Sequence, residues 1–233
     1  MVLMSELSET SATTPGSPQL VDRPRIEAVL FDYGQVLSQG PNADAWERMR
    51  AVAGGSSEIF HAAYWKFRHE YDRGTLSGTA YWHKVAEAAE HAGLREGELA
   101  TLYQADVDLW ADLNGPMVAW AKELHRRGIR TGILSNIGDQ METGIRKRFA
   151  WLEDFHHCTW SHQLKLAKPE TAIYRHAAEG LKTAPEHILF IDDREENIAA
   201  ARVAGMIAVQ YTTHDTFIEE MRWLGLEWLL RQS

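Results

Sequence analysis

The sequence predicts an α/β protein: a parallel sheet covered by helices, interrupted near its start by an inserted helical subdomain. Three observations predict it. Short β-branched apolar runs alternate with helix-period segments, polar residues follow the strongest runs, and residues 41–113 break the rhythm with no convincing buried strand. Strand–helix alternation argues for parallel pairing through helical crossovers. In open sheets of this class, ligands gather at the carboxyl ends of the strands.

The first run is Ile26 to Phe31, with Gly34 close behind, and reads as a buried strand entering a loop. Further strands are expected at Ile129–Leu134, ahead of Ser135 and Asn136, at His187–Ile191, ahead of Asp192 and Asp193, and at Met206–Val209. A weaker one covers Phe155 to Trp160. Between them, Gly115–Arg127 carries Met117, Val118, Trp120, Ala121 and Leu124 at helical spacing and stops at Gly128. Pro169–Glu179 suits a helix with proline in its first turn. Glu195–Ala204 is alanine-rich and stops at Gly205. The inserted segment has helical patterns and many aromatics, from Trp46 and Phe60 to Tyr103 and Trp110. The organisation expected is a flexible N-terminal tail over residues 1–24, a core formed by 25–40 and 114–233, and a helical subdomain over 41–113.

Composition narrows the function. The chain has 233 residues, 45% of them apolar, enough for a real core without staples. Its 24 basic and 33 acidic residues give a net charge of −9, which argues against non-specific nucleic-acid binding. No stretch approaches the roughly 20 apolar residues of a membrane helix. The opening residues, rich in Ser, Thr and Pro, lack the basic start and apolar run of a secretory signal. The single cysteine, Cys158, leaves no internal disulfide and reads as a buried small hydrophobe, which fits a reducing, cytoplasmic setting.

The chemistry gathers after the strands. Asp32 follows the first, Ser135 and Asn136 the second, and Asp192 and Asp193 the third, with Lys168 beside Pro169 at the start of its helix. If these strands are parallel neighbours, three carboxylates, a hydroxyl and an ammonium converge. Crowded carboxylates need a cation, and an all-oxygen set suits Mg2+. With Lys168, such an ion neutralises a phosphoryl group, Ser135 hydrogen-bonds its oxygens, and Asp32 is placed to attack phosphorus.

These residues form four ordered motifs. Phe31-Asp32-Tyr33-Gly34-Gln35-Val36-Leu37, Ile133-Leu134-Ser135-Asn136, Lys168-Pro169-Glu170 and Phe190-Ile191-Asp192-Asp193-Arg194-Glu195-Glu196-Asn197 resemble those of the haloacid dehalogenase superfamily, from Ile26 to about Val209. The resemblance implies a Rossmann-like core and a magnesium-dependent phosphatase, in a branch similar to sugar-phosphate phosphatases. It implies that Asp32 is nucleophile and metal ligand, that Asp193 and the Gly34 carbonyl complete the protein ligands, and that Asp192 supports the metal directly or through water. Ser135 and Lys168 would hold the phosphate. Asn136 would stand at the substrate or just behind it, and Asn197 behind the carboxylates. The insertion would be a cap that closes over the site, excluding water and selecting a small phosphorylated metabolite.

Position 34 departs from the common pattern. Many phosphatases of the superfamily carry an acid–base Asp two residues after the nucleophile, and this chain has Gly34. Gly34 also reads as a tight turn needing an unhindered backbone. Two alternatives stay open: a 2-haloacid dehalogenase, in which Asp32 attacks carbon without a metal, and a catalytically weak binding or regulatory protein.

Other features carry less. Arg68 or His69, in the aromatic run Tyr64–Gly74, can reach substrate or lie on a helix surface. His156 and His157 would point to opposite faces of a strand, which argues against a shared metal. The apolar C-terminal run Met221–Leu230 packs on the body or forms a contact, so the chain is a monomer or a homodimer.

Overall fold

Five short apolar segments pair side by side as strands, all parallel, in the order β3-β2-β1-β4-β5. They are β1 (Ala28–Phe31), β2 (Arg130–Ser135), β3 (His157–Trp160), β4 (Ile188–Asp192) and β5 (Ile207–Gln210). The structure, a computed structural model, describes residues 24–231. The expected N-terminal tail therefore lies outside the described residues except for Pro24. Each predicted strand is present, including the weak one, displaced by one or two residues.

Alternate residues of each strand face opposite layers. Val29, Phe31, Ile133, Leu189, Ile191 and Val209 pack with helices α6 (Gly115–Arg126) and α11 (His214–Trp223). Ala28, Leu30, Leu134, Phe190 and Ala208 pack with α9 (Thr171–Leu181) and α10 (Glu195–Val203). The result is a three-layer sandwich whose central strand, β1, is flanked by β2 and β4. Gly128 and Gly205 end α6 and α10 with φ of 76° and 94°, a left-handed backbone that glycine adopts without a Cβ penalty.

The helix expected from Pro169 begins later, at Thr171. Lys168 donates its backbone N–H to Asn136 Oδ1 at 2.8 Å and accepts from Asn136 Nδ2 at 2.9 Å, which ties this stretch to the loop after β2 and keeps it out of the helix.

Between β1 and α6 the described chain is helical: α1 (Ala43–Ala53), α2 (Ser57–Lys66), α3 (Arg68–Asp72), α4 (Gly78–Ala88) and α5 (Glu96–Leu109). These helices have their own core, in which Phe60, Tyr64, Tyr71, Tyr81 and Trp82 are fully buried. Tyr71 and Tyr81 stack with ring centroids 4.5 Å apart. The connections into and out of this helical layer run antiparallel. Ser38 bridges Leu113, Gln39 N–H donates to Asp112 O at 2.6 Å, and Asn114 N–H donates to Leu37 O at 2.9 Å.

The layer is seated on the sheet's carboxyl edge by α3 and the turn after it. The Tyr71 ring covers Gly138, where a Cβ would stand 2.1 Å from Tyr71 Cζ. Ser161 Oγ donates to the Asp72 carbonyl, and Arg73 pairs with Glu170. Helix α7 (Asp139–Arg148) meets α5, and Gly78 N–H donates to Asp139 Oδ1 at 3.0 Å.

The C-terminal run packs on the body. Met221, Leu226 and Leu229 are fully buried, Trp120 Nε1 donates to the Leu229 carbonyl at 2.9 Å, and of the run's apolar side chains only Trp223 is largely exposed. Cys158 is half-buried instead of fully buried, and burial pushes its thiol up to about 12. No helix among the described residues is long and apolar enough to cross a membrane.

Gly74 tests how the two layers meet. Its φ is 79°, and a Cβ there would stand 2.3 Å from the His162 carbonyl oxygen. Gly74→Ala is expected to lower the unfolding free energy by about 1–3 kcal/mol, read by urea denaturation, because neither the backbone angle nor the facing backbone can yield cheaply.

Candidate active site

Topology brings the predicted residues together. Asp32 follows β1, Ser135 ends β2, and Asp192 ends β4 with Asp193 next, so the central strand puts Asp32 between the other two strand ends. Lys168 arrives from the loop before α9 and is almost fully buried. Its Nζ lies 2.9 Å from Asp32 Oδ1 and 2.6 Å from Asp192 Oδ2, so a single ammonium bridges two buried carboxylates.

The three aspartates are not equivalent. Asp192 is fully buried, and its Oδ1 accepts from the Arg194 N–H and from Asn197 Nδ2, both at 2.9 Å. With Lys168 on Oδ2, both its oxygens are engaged, so Asp192 is the anchor of the three. Asp193 is more open, and its Oδ2 accepts from Gln35 Nε2 at 2.7 Å. One carboxylate oxygen from each of the three aspartates falls within 4.8 Å of the others, and no other group of three acidic, histidine or cysteine side chains does so among the described residues.

This crowding has an electrostatic signature. Burial pushes the Asp32 carboxyl up to about 7; Lys168 opposes the rise, while Asp192 and Asp193 add to it. Burial, then Asp192, raises Asp193. Burial alone would depress Lys168, but Asp192 and Asp32 hold it above its usual value, so it stays charged.

Several roles read from the sequence change. Asn136 spends one Nδ2 hydrogen and its Oδ1 on the backbone of Lys168, so it fixes that lysine's loop while lining the cavity. Gly34 is not demanded by its backbone: φ is −65° and ψ 131°, open to any residue. A Cβ there would meet the Trp110 ring at 3.7 Å, an ordinary van der Waals contact, and both residues line the cavity over the site. Gln35, which the sequence did not single out, has the left-handed φ of 59°, uncommon for a residue with a Cβ, and this brings its amide to Asp193.

Over these groups lies a cavity of about 330 Å³. Its floor includes Asp32, Ser135, Lys168 and Asp193, and its roof is made by Trp65, Arg68, His69 and Asp72 of α2 and α3. Arg68 lines this cavity but is buried instead of lying on a helix surface, and it is engaged. Its Nε donates to Asp72 Oδ1 at 2.8 Å and its Nη1 to Asp106 Oδ1 at 3.0 Å, with Tyr64 also in contact. The Arg68–Asp72 pair sits at i, i+4, where side chains one helical turn apart meet. The other histidines stand apart: His156 accepts from the Thr131 N–H at 3.1 Å and packs on His125, whereas His157 packs on His176.

A buried Asp–Lys–Asp bridge at the carboxyl edge of a parallel sheet, roofed by helices, defines a hydrolase-type site in an α/β enzyme. The sequence profile of the haloacid dehalogenase-like hydrolases matches residues 14–205, and the chain belongs to that family. It is 22% identical over 202 residues to a sesquiterpene phosphatase of Aspergillus oryzae, covering 85% of this chain and 96% of that one. It is 26% identical over 194 residues to an (S)-2-haloacid dehalogenase of Pseudomonas, covering 79% and 84%. The fold is similar to that of a haloacid dehalogenase-family enzyme from Bacteroides thetaiotaomicron solved with magnesium and inorganic phosphate. That likeness has a TM-score of 0.68 at 21% identity, over 81% of this chain and 96% of the other.

Removing the bridging charge tests the electrostatics. Lys168→Met leaves buried carboxylates without their cation and is expected to cost about 3–5 kcal/mol of stability near neutral pH. Asp32, already raised to about 7, rises further without Lys168. A carboxyl raised in the fold favours folding only while it is protonated, so the loss should shrink as pH falls below 7 and grow above it. Denaturant titrations at pH 5 and pH 8 check the sign.

Proposed function

We propose that this hydrolase cleaves small phosphomonoesters, sugar phosphates among them, in a magnesium-dependent reaction through an aspartyl-phosphate on Asp32. The observation that carries the reading is the set of three carboxylates within 4.8 Å of one another against one ammonium. An all-oxygen set with a surplus of negative charge fits a hard divalent cation. Asp32, Asp193 and the Gly34 carbonyl would hold it, with Asp192 behind them. The ion would supply charge neutralisation to the phosphoryl oxygens.

The remaining work falls to the chain. Lys168 favours the ionised form of Asp32 and holds it in place, and its ammonium is available to a phosphoryl oxygen above it. Ser135, buried at the end of β2, offers a hydroxyl to the same group. Asn136 and Asn197 fix Lys168 and Asp192, so the charges are placed before substrate arrives. Helices α1–α5 serve as a cap that excludes water from the cavity. The cavity suits one small metabolite.

Gly34 and the likeness to the Pseudomonas dehalogenase favour one alternative, attack of Asp32 on a carbon bearing halide. The unpaired acidic group at Asp193 weighs against it, because that chemistry needs no second carboxylate beside the nucleophile.

The test is release of p-nitrophenol from p-nitrophenyl phosphate, with and without magnesium. Activity should require the ion and fall to background in Asp32→Asn. Halide release from 2-chloropropionate that survives a chelator, with no phosphatase activity, would replace this reading with the dehalogenase one.

A further inference from the structure

A phosphatase with Gly34 lacks the usual carboxyl for protonating the leaving oxygen, and the Trp110 ring that faces position 34 carries no carboxyl to replace it. In-line attack by Asp32 sends the leaving oxygen away from the sheet edge, towards the roof. The titratable groups on the roof are Arg68, His69 and Asp72. Arg68 is a fixed cation bound to Asp72 and Asp106, and His69 is exposed at the mouth.

Resting on the phosphatase reading, we propose that Asp72 is the general acid of this hydrolase, supplied by the helical roof in place of the missing residue at 34. Its Oδ1 is fixed by Arg68 Nε at 2.8 Å, and its Oδ2 has no hydrogen-bond partner among the described residues in a side chain that lines the cavity. Its backbone is pinned to the floor, because Ser161 Oγ donates to the Asp72 carbonyl while accepting from the Ile137 N–H at 2.8 Å, two residues beyond Ser135. One end of the carboxyl is thus held and the other is open to the reacting group.

The surroundings suit proton transfer. Burial pushes the Asp72 carboxyl up to about 6; Arg68 opposes the rise and Asp106 adds to it, with His69 a weaker opposing charge. An acid of this strength is present in both forms near neutral pH. Asp106 accepts from Arg68 Nη1 through both oxygens and from Tyr64, so it takes the larger share of the guanidinium and leaves Asp72 free to be neutral.

The step balances. An Asp32 carboxylate oxygen bonds to phosphorus as the bond from phosphorus to the leaving oxygen breaks, and the Oδ2 proton of Asp72 goes to that oxygen to give the alcohol. Water then attacks the aspartyl-phosphate with its surplus proton passing to solvent, and Asp72 takes a proton back from solvent. Inorganic phosphate leaves, Asp32 is again a carboxylate, and Asp72 again holds its proton.

The test compares leaving groups. With p-nitrophenyl phosphate, phenyl phosphate and β-glycerophosphate, the native protein and Asp72→Asn are assayed side by side, with His69→Ala as control. The asparagine keeps an oxygen for Arg68. It should retain p-nitrophenyl phosphate hydrolysis within about threefold, which also reports that the site is folded, and lose about 10²-fold or more on β-glycerophosphate, with phenyl phosphate between. His69→Ala should show no such gradient. Equal losses on all three esters in Asp72→Asn, no loss on any, or the gradient in His69→Ala instead would overturn the proposal. So would a native enzyme that cleaves only p-nitrophenyl phosphate. If the native protein cleaves none of the esters, the phosphatase reading fails and takes this assignment with it.

Discussion

Lys168 places one positive charge between two buried carboxylates, with a third close by, and much of the molecule is arranged to hold that charge there. In a low-dielectric interior, an ammonium and carboxylates at hydrogen-bond distance attract strongly, but each has given up its water, and the balance is favourable only if every partner stays in position. One ammonium is also too little for three carboxylates. Burial, with that shortfall adding to it, raises the affinity of Asp32 for a proton.

The fold meets this constraint with backbone and amide groups more than with further charge. Parallel pairing puts the ends of β2, β1 and β4 in a row, which delivers Ser135, Asp32 and Asp192 from three distant parts of the chain. Asn136 grips the backbone of Lys168 from β2's loop, and Asn197 and the Arg194 N–H grip Asp192 from the start of α10. The two grips set the ammonium and its deeper partner independently. Asp32 is caught between them, with its own Oδ1 also accepting the Tyr33 N–H at 2.7 Å.

The sheet and the floor of the site were legible in the sequence because they rest on short-range signals. Buried parallel strands are continuous apolar runs, and the polar residues that follow each run mark where the strand ends. The roof was less legible. Arg68 was recognised as able to reach the site, but its pairing with Asp106 and Tyr64 joins residues far apart in sequence, and no periodicity signals such a contact. Gln35 escaped notice because its importance lies in a positive φ, which an amide-bearing residue does not advertise. Asn136 was identified as part of the site, but its orientation depends on Lys168, which arrives 32 residues later. The helix expected to start at Pro169 starts instead at Thr171 for the same reason.

The antiparallel connections at 37–39 and 112–114 have a consequence for how such a molecule can change over generations. Both cross at one narrow joint, and the helical layer beyond it has a hydrophobic core of its own. Substitutions and length changes on the far side of the joint, for example in the exposed turn at Glu90–Gly93, alter what is recognised while the strand ends and their buried charges stay untouched. The residues free to drift are those away from the seam of α3, where Tyr71, Asp72 and Arg73 touch the floor. Selection can therefore act on the helical layer alone, with the buried charges at the strand ends inherited intact.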